Sequence, residues 1–129
     1  MKNLEHIQQV NLFKWATLNL FKYPQLELMY AIPNGGQRSI TTAVKLKAEG
    51  VKAGMPDICL PIQKSFINSN GDLRFWNALY IELKVKPNKP TDVQVKKMKL
   101  LEMYENKCVV CYSWQEAADE IVKYLQKGN

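Results

Sequence analysis

Metal-ligating and redox-active side chains are scarce in this sequence. It holds a single histidine, His6, and three cysteines, Cys59, Cys108 and Cys111. A structural zinc centre takes about four nitrogen or sulfur ligands. Cys108-Val-Val-Cys111 has CxxC spacing but no second pair, and it sits in an apolar run, so a zinc site is not expected. Three thiols cannot all pair within one chain, which argues against a disulfide framework. They read instead as buried structural thiols. The lone histidine leaves no Ser/His or Cys/His pairing for nucleophilic catalysis. Trp15, Trp76 and Trp114 are scattered, which suits core or interface positions better than a base-stacking platform. No apolar run approaches the roughly 20 residues that span a bilayer. The start, Met1-Lys2-Asn3-Leu4-Glu5-His6, turns polar before the apolar stretch of a secretory signal could form. The expectation is a cytoplasmic protein with reduced thiols, no membrane association and no small-molecule cofactor.

Positive charge, by contrast, is abundant. Lys and Arg number 18 against 12 Asp and Glu, a net charge of +6. Clustered Lys and Arg release counterions from a phosphate backbone, so such a surplus favours polyanionic partners. At 129 residues and 47% hydrophobic composition, the chain suits one globular domain, residues 1–129, with one core.

Apolar positions at helical spacing run from residue 4 to about 21, where Tyr23-Pro24 supplies a stop. Leu26 to Ile32 reads as a strand entering the loop Pro33-Asn34-Gly35-Gly36. Residues 40–49 have good helix formers, with Gly50 behind them as a C-terminal cap. Asp57 to Ile62 reads as a strand whose Pro61 places part of it near an edge. Asn68-Ser-Asn-Gly-Asp72 is a turn signal, and residues 78–85 beyond it alternate with period two, so 57–62 and 78–85 are expected to form a hairpin. Thr91-x-x-Gln94 and Ser113-x-x-Glu116 have capping-box spacing and open helices over about 92–105 and up to about 126, with a strand at 108–112 between them. The predicted order is α-β-α-β-β-α-β-α. It describes a three-layer α/β domain with a mixed four-stranded sheet flanked by helices.

The densest chemistry lies in the central hairpin. Gly54-Met-Pro-Asp57 puts a carboxylate at the start of one strand, and Glu82-Leu-Lys84 lies on its partner. Strand side chains alternate faces, so Glu82 and Lys84 point one way and Leu83 the other. Asp57 can approach them from the neighbouring strand. Two carboxylates and an ammonium at one end of a sheet suit phosphodiester hydrolysis. Mg²⁺ takes oxygen ligands, commonly one or two carboxylates with water and substrate phosphate, and a nearby lysine can orient the attacking water and stabilise developing charge. The backbone carbonyl of Leu83 is placed to join that shell. Glu82-Leu-Lys84 alone would equally suit a surface ion pair.

Three segments, Ala31-Ile-Pro-Asn-Gly-Gly-Gln-Arg38, Leu46-Lys-Ala-Glu-Gly-Val-Lys-Ala-Gly-Met-Pro-Asp57 and Tyr80-Ile-Glu-Leu-Lys-Val85, together resemble the VRR-NUC family of the PD-(D/E)xK nuclease superfamily. Glu5-His6 with Gln9, and Lys89-Pro-Thr-Asp-Val-Gln94, extend the resemblance over nearly the whole chain in matching order. It implies a restriction-endonuclease-like fold, Mg²⁺ or Mn²⁺ held by Asp57 and Glu82, and Lys84 as the catalytic lysine. It also implies Glu5 as an additional metal ligand, direct or through water, and Gln94 as the family's motif glutamine. The Val-Arg-Arg tripeptide of the family's name is absent; Gln37-Arg38 stands near the loop instead.

Glu5 and Gln9 are four apart and share a helix face with Leu12 and Ala16. Gln94 has both a capping role and a site role open to it. Asn34, Gly35 and Gly36 would let a phosphate backbone approach closely, and Arg38, Lys45, Lys47 and Lys52 would form a basic rim that positions a duplex by its phosphates. The expected activity is a metal-dependent endonuclease on DNA. The resemblance, whose stand-alone members look like Holliday-junction resolvases, implies selectivity for four-way junctions, and the two symmetric scissile sites of a junction would suit a homodimer. The alternatives are a duplex nickase or restriction-like nuclease, and a DNA-binding module without turnover. RNA as substrate is left open.

Overall fold

A computed structural model describes residues 3–33 and 39–127. The first helix, α1 (Asn3–Leu18), turns Leu12 and Ala16 into the core. It ends where Asn19 folds back, donating through Nδ2 to the Trp15 carbonyl at 2.8 Å. The strand expected over 26–32 is mostly absent. Pro24–Leu28 forms a 3₁₀ turn, and only Tyr30–Ala31 pairs as strand β1. The reason is local. Pro24 starts the turn and the Met29 N–H closes on the Leu26 carbonyl at 3.1 Å. Leu26 and Met29, three apart, are therefore buried on one side of a tight helical turn.

Helix α2 (Ile40–Ala48) is capped by Ser39, whose hydroxyl accepts from the Thr42 N–H. It closes as expected at Gly50, in the left-handed region with φ +102°. The Val51 N–H returns to the Leu46 carbonyl and the Gly50 N–H to Lys47, which satisfies the helix's last carbonyls.

Strand β2 (Ile58–Leu60) is buried throughout, and Pro61 follows it rather than interrupting it. The turn at 68–72 is present, with the Asn68 Oδ1 accepting from the N–H groups of Asn70 and Asp72, each at 2.9 Å. It joins strands β3 (Lys64–Ile67) and β4 (Leu73–Trp76), a separate two-stranded ribbon inserted between β2 and β5 (Leu79–Leu83). The expected single hairpin is thus a correction: β2 and β5 are antiparallel neighbours, but the turn belongs to the inserted pair. The order gains two strands over the expectation. Phe66 stacked on Trp76, with ring centroids 4.7 Å apart, holds the two strands of the ribbon to each other, and the Lys64 ammonium on the Leu125 carbonyl ties it to the rest of the domain.

Helix α3 (Asp92–Met103), strand β6 (Lys107–Cys111) and helix α4 (Trp114–Lys127) complete the chain. The main sheet has the order β1-β2-β5-β6, with β5 antiparallel to β2 and parallel to β6. This is the mixed four-stranded sheet that was expected. Leu79, Ile81 and Leu83 on one face of β5 pack in the core with Leu12 and Ala16 of α1 and Ala117 and Ile121 of α4. The other face of β5 carries Tyr80 and Glu82, with Lys84 just beyond the strand's end beside Glu82. Gln8 of α1 docks α4 by accepting from the Trp114 N–H at 2.8 Å. Cys59 and Cys111 are buried and Cys108 half-buried, all free thiols. Burial pushes Cys108 and Cys111 up to about 12, far from the thiolate form that reacts. Among the described residues no helix is long and apolar enough to cross a membrane.

Candidate active site

Strand β5 delivers Glu82 at the end of the sheet where β2 begins. There the β2–β5 ladder stops, because the residues ahead of Ile58 are Pro56 and Asp57. Continuing the Ile58↔Ile81 register by two residues sets Pro56 opposite Leu83. A proline has no N–H to give the Leu83 carbonyl. Asp57 takes the other half of that missing pair: its Oδ2 accepts from the Leu83 N–H at 2.8 Å. The Asp57 backbone carbonyl meanwhile accepts from Ile32 at 2.7 Å, which anchors the loop to the β1 side. The residues before the strand therefore aim a carboxylate across its open end.

A cleft of about 400 Å³ opens here, lined by Glu5, Asp57, Glu82, Lys84 and Gln94 together with the 53–55 loop and the first turn of α3. Glu82 is 2% exposed and Lys84 9%. The Lys84 ammonium lies 3.3 Å from Glu82 Oε2. The Gln94 Nε2 donates to that same oxygen at 2.9 Å, while its Oε1 accepts from the Thr91 N–H at 2.9 Å. Gln94 thus serves the capping box and the site at once. Both donors fall on Oε2. Among the described residues Glu82 Oε1 is buried without a hydrogen-bond partner.

A buried carboxylate oxygen without a donor is costly, roughly 1–3 kcal/mol for a neutral group and more for an ion. The electrostatics carry the same strain. Burial, reinforced by the charge of Asp57, pushes Glu82 up to about 7, against the opposing pull of Lys84. Burial also raises Asp57; the Leu83 N–H and Lys84 oppose this, and the Glu5 carboxylate adds to it. One ammonium does not balance three neighbouring carboxylates. The donor set, hard oxygens with an unsatisfied lone pair, fits a hard divalent cation. Among the described residues no group of three or more His, Cys, Asp or Glu side chains is arranged to hold a metal by itself. A cation here would therefore rest on two carboxylates and complete its shell with water, the Leu83 carbonyl and substrate oxygen.

Glu5, Asp57, Glu82, Lys84 and Gln94 are thus gathered as the sequence suggested. Gln9 lines a different groove, along α1 beside Ala31. Lys45 and Lys47 lie exposed in the last turn of α2, and Lys52 is exposed next to Ala53 on the cleft lip. Asn34, Gly35, Gly36 and Arg38 lie outside the described residues. Two contributors were not read from sequence as part of the site, although Thr91 was read as a helix cap. Thr91 lines the cleft and caps α3. Gly54 has φ +82°, and a Cβ there would sit 2.6 Å from Val93 Cγ1 and 2.9 Å from the Val93 carbonyl oxygen. Its fit against α3 holds the loop before Asp57 to the helix that carries Gln94. The glycine was visible in Gly54-Met-Pro-Asp57; its contact with a helix about forty residues away was not.

No family model and no curated protein matches the sequence. Among solved structures, a chain described as a VRR_NUC domain protein superposes with a TM-score of 0.75 at 24% identity, covering 97% of this chain and 90% of that one. The chain has the mixed α/β fold of that domain, over nearly its full length.

Proposed function

We propose that the chain is a metal-dependent nuclease of the VRR-NUC family that hydrolyses DNA phosphodiester bonds. The observation that carries this reading is Glu82 Oε1, without a hydrogen-bond partner among the described residues and buried beside Asp57 with Lys84 on the same carboxylate. A binding module has no use for such a cluster, since unneutralised carboxylates repel a phosphate backbone. The likeness to a VRR_NUC domain supports the same reading through the fold. Asp57 and Glu82 would hold Mg²⁺ or Mn²⁺, with the Leu83 carbonyl as a third oxygen and Glu5, which does not join them as a third direct carboxylate, acting through water. When bound, the ion supplies Lewis-acid polarisation of the phosphoryl group and a water of lowered pKa.

The remaining work falls to the chain itself. Lys84, nearly buried, keeps its ammonium at the carboxylate edge, where it orients the attacking water and meets charge developing on the phosphate oxygens. Gln94 holds Glu82 Oε2 and leaves Oε1 for the cation. The exposed Lys45, Lys47 and Lys52, with Arg38, Asn34, Gly35 and Gly36, would contact the phosphates of a duplex without reading its bases. The substrate of choice is a four-way junction, cut by a homodimer whose twofold axis presents two active centres.

The test is cleavage of a labelled four-way junction beside nicked and linear duplexes, with Mg²⁺ or Mn²⁺, with EDTA, and with Lys84→Ala. Paired cuts that need metal and vanish in the variant are expected. Equal cutting of linear duplex would replace the junction reading with a duplex nickase. Binding without cuts on any substrate would overturn the nuclease reading.

A further inference from the structure

The two ends of a glutamine amide are not interchangeable: Oε1 accepts and Nε2 donates. Which end of Gln94 faces Glu82 is set from both sides: the carboxylate accepts and so takes the Nε2 end, and the far side of the amide fixes the same orientation independently. There the Thr91 backbone N–H, a donor, lies 2.9 Å from Oε1. That contact requires the oxygen end, which turns Nε2 towards Glu82 Oε2. Thr91 is itself fixed by its hydroxyl, which accepts from the Gln94 N–H at 3.2 Å and starts α3. Lys84 reaches the same Oε2, so both donors of the shell converge on one carboxylate oxygen and leave the other open. Reversing the amide would set an acceptor against a carboxylate and release Glu82 to rotate.

From this chain of contacts we propose that Thr91 is a positioning residue of the metal centre: by capping α3 it fixes the orientation of the Gln94 amide, and through it selects Glu82 Oε1 as the oxygen presented to a divalent cation. The proposal rests on the metal-site reading given above. It assigns the capping box two jobs in one hydrogen-bonded unit, starting a helix and orienting a ligand. A cap that only starts a helix alters stability. A cap that also orients a ligand alters metal affinity in molecules that remain folded.

The experiment is Mn²⁺ titration by calorimetry on the full chain, well below the melting temperature, for the wild type, Thr91→Ala, Thr91→Ser and Glu82→Gln. Partners behind a metal ligand typically govern affinity by 10–100-fold, so Thr91→Ala is expected to weaken Mn²⁺ binding about tenfold. Thr91→Ser, which keeps the hydroxyl, should stay within about twofold of wild type. A Thr91→Ala protein that melts earlier but binds Mn²⁺ like wild type overturns the inference and leaves the metal site standing. Failure of the wild type to bind, or unchanged binding in Glu82→Gln, overturns the metal site and the inference with it. The wild type supplies a check that needs no variant. In nitrogen-15 NMR of the metal-free protein, the Gln94 Nε2 proton that bonds Glu82 Oε2 should exchange with solvent much more slowly than those of the exposed Gln115. Equal exchange would sink the inference even if Thr91→Ala fails to fold.

Discussion

Replacing Glu82 with glutamine should abolish cleavage and at the same time make the metal-free protein more stable at alkaline pH. Glutamine keeps the shape and an acceptor for Lys84 and Gln94 but removes the buried charge. The magnitude follows from the carboxyl group. Its pKa of about 7 in the fold compares with an ordinary 4.5. At about 1.36 kcal/mol per pH unit, the ionised form therefore costs the folded state about 3 kcal/mol. Because the folded value lies above the unfolded one, the fold holds this proton more tightly. The wild type loses the stability as pH rises from about 4.5 to about 7, and above that the loss is complete. Glutamine has no such dependence. At roughly 2 cal/mol/K of unfolding entropy per residue, 3 kcal/mol corresponds to a rise of about 10 °C in Tm for a chain this long. Calorimetric melting in EDTA at pH 8 and pH 5 measures it. The gap between variant and wild type should be present at pH 8 and nearly closed at pH 5. Excess Mn²⁺ at pH 8 should raise the wild-type Tm and leave the variant unmoved. A variant that melts below wild type at pH 8 in EDTA, or a gap indifferent to pH, would refute the argument from buried charge.

The same raised carboxyls make cation binding compete with protons. The apparent Kd for Mn²⁺ should rise about tenfold for each pH unit below 7 and flatten above it; a flat titration from pH 5.5 to 8 would contradict this. Gly54→Ala combines a left-handed φ with overlap against the Val93 backbone, which cannot swing aside. A cost of roughly 3 kcal/mol is expected in urea unfolding, and an unchanged midpoint would exclude the proposed close packing. If Lys45, Lys47 and Lys52 each meet a phosphate, their joint replacement by alanine should reduce the log–log salt slope of DNA binding by up to about 3. Weaker binding with an unchanged slope would remove them from the contact surface.

Much of the centre was legible because strand alternation is a short-range rule. Glu82 and Lys84 are two residues apart on one strand, and nothing distant is needed to place them on one face. Gln94 was legible as a cap from Thr91-x-x-Gln94 with a site role left open beside it; its hydrogen bond to Glu82 was not legible. The failures occurred where a local pattern was consistent with more than one geometry. Leu26 and Met29 are buried in a 3₁₀ turn that begins at a proline, yet in sequence they continue an apolar stretch like a strand. The turn at 68–72 was identified correctly but assigned to the wrong strands, because Lys64–Ile67 and Leu73–Trp76 are four residues each and mixed in polarity. The packing of Gly54 on Val93 joins two segments that only the folded chain brings together.

Strand β5 carries the core on one side and the chemistry on the other, and this bears on how errors in folding are rejected. Shifting its pairing by one residue would exchange the two sides, turning Glu82 and Lys84 into the apolar layer against α1 and α4 and Leu83 out into the cleft. Two unpartnered charges in that layer would cost many kcal/mol, comparable with the whole stability of a domain this size. A mispaired sheet is therefore not a slightly altered site but a chain that does not hold together. The polar residues of the candidate site serve as proofreaders of the fold, and molecules that pass the test already have their carboxylates on the correct side.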